Sequence, residues 1–257
     1  MLTMPLHLSP ALSDADVESL ERATLDAVAP PVVEAVDGWL IPIEQSTVGR
    51  AKSAVPLRHH GLDTTLLKEI EARYTAHGLP AAFRVADLAG LAPVHQALFA
   101  MGYEARQPTL VQTGSVHRLR EVFADLPTEV DTQPSAAWAA ACIAPGFDPV
   151  DAAHRVQALR RSRDAAYAWV EEDGQPLAAG TAAFSQGWAS LHGIRTAQQA
   201  RGRGLAGRIL AGLAQAALDR GLERVFLQVE EGNTKALALY QRCGFTTAWR
   251  YHYWRKP

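Results

Sequence analysis

The sequence predicts an α/β chain whose second half is a mixed sheet with helices packed on it, and two patterns carry that prediction. The first pattern is a meander. Residues 166–171, 177–185 and 188–195 are strand-like runs, and the turn dipeptides Asp173-Gly174 and Gln186-Gly187 separate them. Because two-residue turns join antiparallel neighbours, we expect three antiparallel strands in succession.

The second pattern is an alternation of helix and strand after the meander. A helix is predicted at about 203–220, and a nearly continuous apolar run at 224–230 predicts a strand covered on both faces. Asn233 is placed to begin a further helix at 234–243, and residues 245–254 form the last predicted strand. The apolar face of the first of these helices consists of Leu205, Ile209, Leu213 and Ala217.

The first half contains shorter predicted elements of both kinds. Ser13 and Asp16 have the spacing of a capping box, which predicts a helix that Pro30 and Pro31 end. The other predicted elements before the meander are helices at 64–77, 92–101 and 149–161, and strands at 39–43, 82–85 and 109–112.

Two pairs of glycines suggest that the two halves repeat one pattern. Gly78 and Gly102 are 24 residues apart, and Gly221 and Gly244 are 23 apart. Each pair encloses a strand and then a helix, and an aromatic residue follows the second glycine. The residues from 125 to 134 mix acids, threonines and prolines. We therefore predict two duplicated domains, at 1–125 and 130–257.

Charge and composition exclude several classes of function. The net charge is −2, so no basic excess points to nucleic acid, and no apolar run is long enough to span a membrane. The N-terminus does not resemble a signal peptide, and we expect a cytoplasmic protein. The two cysteines lack ligand spacing and are predicted to be buried, and His59 and His60 to be solvated, so we expect no metal.

The segment from Arg201 to Ala206 is the strongest candidate for a ligand site. It reads Arg-Gly-Arg-Gly-Leu-Ala and lies at a predicted helix start. The first amides of a helix have no partner within the helix, and the helix dipole adds positive potential. Glycines let a ligand approach the backbone closely, so this segment predicts a phosphate site.

The same glycines also satisfy G-x-G-x-x-G, the fingerprint of dinucleotide-binding folds, with Gly202, Gly204 and Gly207. In that fold the loop follows its strand almost at once, and further strand-helix units follow. Here residues 196–200 intervene and only 27 residues remain after Glu230. We therefore reject a nicotinamide-dependent enzyme.

The loop resembles the pyrophosphate-binding motif R/Q-x-x-G-x-G/A of the GNAT superfamily of N-acetyltransferases. Arg201, Gly204 and Ala206 fit the motif, and Gln199, Gly202 and Gly204 fit it one step earlier. The flanks agree in order: Gly193 to Thr196 resembles the family's fourth strand, 227–230 its fifth, and Asn233, Ala236, Leu239-Tyr240 and Gly244-Phe245 its last helix and strand. The resemblance covers about 134–257, and it implies a GNAT-like second half and a degenerate GNAT-like first half that walls the substrate pocket.

The resemblance implies acetyl-CoA as cosubstrate and a set of residues that hold it. The amides of Gly202, Arg203, Gly204, Leu205 and Ala206 would bind the pyrophosphate, and Arg201 and Arg203 would add charge. Backbone groups of Ile194, Arg195 and Thr196 would pair with the pantetheine arm. Asn233 would lie beside that arm, or would act as a plain helix cap.

The implied reaction needs an acid and a base. Tyr240 matches the family's tyrosine acid, which protonates the leaving thiolate. The family's usual glutamate on the fourth strand is missing, so His192, Glu230 and an ordered water are the three alternatives for the base.

The function predicted from the sequence is acyl-CoA-dependent N-acyl transfer, most often of acetyl, to a primary amine in a ternary complex. The alternative is a non-catalytic acyl-CoA-binding regulatory module. The acceptor is a small-molecule or peptide amine, and Trp188 and the aromatic last strand are candidates for its pocket. The sequence does not determine the oligomeric state, and a homodimer is one expectation.

Overall fold

The computed structural model describes residues 12–123, 128–143 and 148–257. Within these ranges the helices are α1 (Asp14–Val28), α2 (Leu66–Ala76), α3 (Ala92–Ala100), α4 (Val116–Val122), α5 (Ala136–Cys142), α6 (Pro149–Arg160), α7 (Leu205–Leu218) and α8 (Thr234–Arg242). The strands are β1 (Val32–Val36), β2 (Trp39–Ile43), β3 (Val55–Pro56), β4 (Ala82–Ala86), β5 (Glu104–Ser115), β6 (Glu129–Asp131), β7 (Ala165–Glu172), β8 (Gln175–Ser185), β9 (Trp188–Thr196), β10 (Arg224–Glu230) and β11 (Thr246–Arg255).

The predicted meander is confirmed as β7, β8 and β9, which pair antiparallel in succession. All four residues of the two predicted turns have positive φ, from 50° at Asp173 to 76° at Gly187. Turns with two such residues match the right-handed twist of the strands they join. The α/β class with a mixed sheet is confirmed as well, since β9 and β10 pair in parallel.

Strands of both halves form one sheet, in the order β4-β11-β5-β10-β9-β8-β7-β6. The last strand of the first half, β5, pairs with β10 on one side and β11 on the other. The last strand of the chain, β11, pairs with β4 and β5. Each half's last strand therefore pairs only with strands of the other half. The predicted boundary at 125–130 lies partly outside the described residues, and the two-domain division stays a prediction.

The sheet has a hydrophobic core on each face. Val225, Leu227 and Val229 of β10 pack on the face covered by α4, α7 and α8. Phe226 lies on the opposite face with residues of α1, α2 and α3. Burial on both faces explains the continuous apolar run that identified this strand in the sequence.

Helix α1, near the start of the chain, packs against strands of the second half. Its capping box between Ser13 and Asp16 is confirmed. The indole of Trp188 on β9 donates to Ser19 Oγ at 2.9 Å, and Gln228 on β10 donates to Thr24 Oγ1 at 3.0 Å. The first half thus covers one face of the β9–β10 region.

Several elements differ from the predictions. Strand β5 is longer than the predicted 109–112, because its polar first residues extend the ladder along β11 up to Arg255. That pairing is long-range and leaves no periodic apolar pattern. Helix α5 follows the stretch 125–134, where no helix was predicted, and its N-cap is Ser135, whose Oγ accepts from Trp138 N at 3.0 Å.

Candidate active site

A cleft opens where β9 and β10 diverge. Their parallel ladder spans only the pairs from Ala189–Val225 to Leu191–Leu227. Beyond it β9 carries a bulge at Gly193, where φ is +60° and the register with β8 shifts. The resulting cleft has a volume of about 630 Å³. Diverging parallel strands leave backbone groups without a ladder partner, so an extended ligand can pair with them.

Six of the predicted site residues line this cleft: His192, Ile194, Arg195, Glu230, Asn233 and Tyr240. The other seven do not line it: Thr196 is the last residue of β9, and Arg201, Gly202, Arg203, Gly204, Leu205 and Ala206 follow that strand in the chain. Thr196 is still paired with Ala178 of β8. The structure therefore brings the proposed catalytic groups and the pantetheine-side residues together, with the glycine loop next along the chain.

The glycine loop presents unpaired amides. Gly202 and Gly204 have φ of +81° and +76°, and a Cβ at either position would meet no atom within 4 Å. Gly204 is the N-cap of α7, and no side chain caps this helix. Within the described residues, the N–H groups of 202–206 donate to no backbone acceptor. These orphaned donors at a helix start fit an anionic phosphate group.

The two loop arginines differ. Arg203 Nη2 pairs with both carboxylate oxygens of Glu172, at 2.8 and 2.6 Å. The side chain of Arg201 is exposed and makes no hydrogen bond or ion pair with any described residue. The guanidinium of Arg201 is therefore free to bind a phosphate, whereas that of Arg203 would first have to break its ion pair with Glu172.

Tyr240 on α8 faces the cleft from the side of α7. Its ring packs against Phe245 at 5.7 Å between centroids, and Phe245 N donates to its carbonyl. Burial raises the pKa of its hydroxyl to about 12. The phenol therefore keeps its proton at neutral pH, as a group that donates a proton must.

His192 lies on the other face of the sheet. It alternates with Leu191, which packs in the α7 core. Burial, with the positive charges of Arg50 and Arg155, holds the pKa of His192 well below its ordinary value of 6.5. Neither ring nitrogen has a hydrogen-bond partner within the described residues. His192 is thus a neutral imidazole, a weak base with a free donor and a free acceptor.

Glu230 and Asn233 lie at the far end of β10. Glu230 is exposed, and its Oε1 accepts from Gln107 Nε2 at 2.7 Å. Asn233 lines the cleft, and its Oδ1 accepts from Ala236 N at 3.2 Å. The helix-cap role of Asn233 is confirmed, and its amide nitrogen remains available to a ligand.

The sequence did not single out the arginines of the cleft wall. Arg50, from the loop after β2, and Arg155, on α6, both line the cleft. Asp151 lies between Arg155 and Arg195, at 2.6 and 3.8 Å. No periodic pattern or motif marks Arg50, because only the tertiary fold carries its loop to β9.

The aromatic residues of the last strand are all buried in one hydrophobic cluster, and only some of them line the cleft. Tyr251 and Tyr253 line the cleft, and their hydroxyls lie 3.3 Å apart. Trp249 and Trp254 are buried in the core instead. The expectation that Trp188 belongs to the acceptor pocket is wrong, because its ring is buried between α1 and the guanidinium of Arg224, 4.0 Å from the ring centroid.

The two cysteines and His60 are placed as the sequence predicted, and His59 is not. Both cysteines are buried and free, as predicted. His60 is exposed, but the expectation of solvation is wrong for His59, which packs edge-on against Trp249 and whose pKa burial lowers to about 4. Among the described residues, no group of three or more acidic, histidine or cysteine side chains is placed to hold a metal ion. None of the helices in those ranges is both long and apolar enough to cross a bilayer.

Known proteins share this architecture. A family model described as "Probable histone acetyltransferase Rv0428c C-terminal" matches residues 14–254. The "Uncharacterized N-acetyltransferase YobR" of Bacillus subtilis is 25% identical over 243 residues, 93% of this chain and 98% of that protein. A GCN5-related N-acetyltransferase structure from Kribbella flavida aligns with a TM-score of 0.66 at 15% identity, over 94% of this chain and 95% of that one. A tandem GNAT protein from the clavulanic acid biosynthesis pathway aligns at 0.62 and 14%, over 95% and 96%.

Proposed function

This chain belongs to the Rv0428c C-terminal family of acetyltransferases, within the GNAT superfamily, and we propose that it transfers acetyl from acetyl-CoA to a primary amine by direct attack. One observation carries the proposal. The unpaired amides of 202–206 follow β9 after a five-residue connection, and Tyr240 faces the cleft that opens where β9 diverges from β10. A phosphate site, an extended arm and an acid then lie in the order that an acyl-CoA thioester requires.

The cosubstrate would bind by its phosphates at the glycine loop and by its arm along β9. The amides of 202–206 would donate to the pyrophosphate, and the exposed Arg201 would add a charge-assisted hydrogen bond. Backbone groups of Ile194, Arg195 and Thr196 would pair with the arm, beside the amide of Asn233. Bound in this way, acetyl-CoA supplies the thioester carbonyl that the amine nitrogen attacks.

The chain's own residues would then manage two protons. Tyr240 would give its proton to the sulfur as the carbon–sulfur bond breaks, from the α7 side of the sheet. The amine would approach from the opposite side, where His192 and Glu230 lie. Because the lowered pKa of His192 makes it a weak base, we favour Glu230, acting through water, as the proton acceptor. His192 would then orient the amine by a hydrogen bond.

Calorimetric titration with acetyl-CoA tests the cosubstrate site. Gly204→Glu puts a negative charge among the loop amides, and we expect micromolar binding in the wild type to fall at least 100-fold. Gly78→Glu is the matched control, because Gly78 also has positive φ (+69°) and open space around it but ends α2. Equal binding by wild type and Gly204→Glu would contradict the assignment of the loop.

The structure gives no support to the alternative of a non-catalytic acyl-CoA-binding module. Such a module would not need a protonated tyrosine in the cleft, where Tyr240 lies. A homodimer, a cytoplasmic location and the absence of nucleic-acid and membrane partners stay predictions.

A further inference from the structure

Arg50 is a half-buried arginine whose guanidinium has no acidic partner among the described residues. It lines the cleft beside His192, Tyr251 and Tyr253. Within the described residues it makes no hydrogen bond and no ion pair, whereas the nearby Arg84 is paired with Glu21 and Arg155 with Asp151. Burial lowers the pKa of Arg50, which reflects the cost of holding its charge away from water.

The cleft as a whole also has more positively charged than negatively charged side chains. Four arginines line it (Arg50, Arg155, Arg195 and Arg255), against two carboxylates, those of Asp151 and Glu230. Asp151 serves Arg155 and Arg195, and Glu230 lies at the far end with Gln107. The charge of Arg50 is therefore left for a ligand to compensate.

We propose that the acceptor is a small amine that also carries a carboxylate, and that Arg50 binds this carboxylate. The guanidinium fork matches a carboxylate by two parallel hydrogen bonds, and an arginine half-buried in a cleft wall is suited to such planar recognition. The inference rests on the proposed function, since the amine must reach the divergence of β9 and β10 from the side of His192.

Size and charge favour an amine of amino-acid dimensions. The cleft of about 630 Å³ also has to hold the acetylated end of the cosubstrate, so the acceptor can fill only part of that volume. A polyamine or a lysine-rich protein tail would bring further positive charge towards unpaired Arg50. Tyr253 lines the same wall, and its hydroxyl could donate a hydrogen bond to a bound carboxylate, whereas Tyr251 donates its proton to Gln228 Oε1 at 2.9 Å.

The test is a comparison of kcat/KM for matched acids and amides. The panel contains the common α-amino acids, β-alanine and 4-aminobutyrate, each beside its primary amide, with spermidine, a lysine-rich peptide and phosphoethanolamine as other acceptors. We expect one acid to exceed its amide and all other acceptors by about 100-fold. In Arg50→Gln that acid-to-amide ratio should fall to below 10, and Arg50→Lys should retain part of it.

Arg255→Gln is the matched control, because Arg255 also lines the cleft but stacks on Tyr253, 4.8 Å from the ring centroid. Its acid-to-amide ratio should stay near the wild-type value. If the Arg50 variants do not fold, product inhibition of the wild type replaces them, and the N-acetyl acid should inhibit at least tenfold more strongly than the N-acetyl amide.

Three results would overturn the inference: preference for an amide, a polyamine, the peptide or phosphoethanolamine; an acid preference that survives in Arg50→Gln; and an equal loss in Arg255→Gln. Acetyl-CoA titration of the same wild-type sample separates the two levels. A protein that binds acetyl-CoA but acetylates no acid refutes the inference alone, and one that binds no acetyl-CoA refutes the proposed function.

Discussion

Thr109 of β5 and Tyr251 of β11 lie directly opposite each other in the antiparallel ladder between the third and second strands of the sheet. They are also equivalent in the sequence, because Thr109 follows Gly102 by seven residues, as Tyr251 follows Gly244. A residue paired with its own equivalent implies a local twofold relation between the two strands. This pairing is what two repeats that exchange their last strands would produce, and the duplication itself stays a prediction.

The exchange predicts that the second half does not fold alone. A fragment of residues 128–257 would lack β4 and β5, so β10 would lose one ladder partner and β11 would lose both of its partners. We expect this fragment to be insoluble or to lack a cooperative thermal transition, and to bind no acetyl-CoA by calorimetry.

Co-expression with residues 1–127 is the control, and it should restore soluble protein and acetyl-CoA binding. A fragment of residues 128–257 with full acetyltransferase activity would contradict both the structural exchange and the hypothesis that the first half is a scaffold and pocket wall.

A buried ion pair between α1 and β4 should dominate the stability of the first half. Glu21 Oε2 lies 2.6 Å from Arg84 Nη2, and both side chains are almost fully buried. Arg84 Nε and Nη1 have no hydrogen-bond partner within the described residues. Glu21→Gln leaves the guanidinium buried without a counter-charge, so we expect the free energy of unfolding to fall by about 3–5 kcal/mol in urea titration.

The double variant Glu21→Met/Arg84→Met removes both charges and should recover most of that loss. The surface pair of Arg106 with Glu104 gives the comparison, since both side chains are about half exposed. Glu104→Gln should cost less than about 1 kcal/mol. Equal effects of Glu21→Gln and Glu104→Gln would show that burial of the first pair does not matter.

Local patterns explain how much of the fold was predictable. The meander, α7, β10 and α8 were located in the sequence because turn dipeptides, caps and apolar periodicity are all local signals. The exchange of β5 and β11 was not predictable, because strand pairing across about 140 residues leaves no mark in either strand alone.

The site also contains residues that a local motif marks and residues that only the tertiary fold brings into place. Tyr240, Asn233 and the glycine loop belong to one contiguous motif and were identified. Arg50 was missed, because its place depends on how the loop after β2 folds against β9. His192 was identified, but its role was open, since the burial that lowers its pKa is a tertiary property.

Removal of the Tyr240 hydroxyl tests the proposed acid. In Tyr240→Phe the ring that packs on Phe245 remains, so we expect kcat to fall about 100-fold while KM for acetyl-CoA changes less than threefold. Tyr103→Phe removes a hydroxyl that donates to Glu71, away from the cleft, and should leave kcat unchanged. An unchanged kcat in Tyr240→Phe would assign protonation of the thiolate to water.

The two buried histidines should make the protein less stable in mild acid. The pKa values of His192 and His59 are lowered in the folded state, so below pH 6.5 the unfolded chain binds more protons than the folded one. The stability that they contribute is fully present above pH 6.5 and is lost as the pH falls towards the folded pKa values. The slope should approach about 1.4 kcal/mol per pH unit for each histidine.

Urea titrations at pH 7.0, 6.0 and 5.0 measure this slope. His192→Gln should reduce it by about the share of one histidine, because glutamine takes up no proton in either state. His117→Gln is the control, since His117 is exposed on α4, and it should leave the slope unchanged. A slope that persists in His192→Gln would mean that the imidazole is protonated in the folded protein, and His192 would then regain its place as a candidate base for the amine.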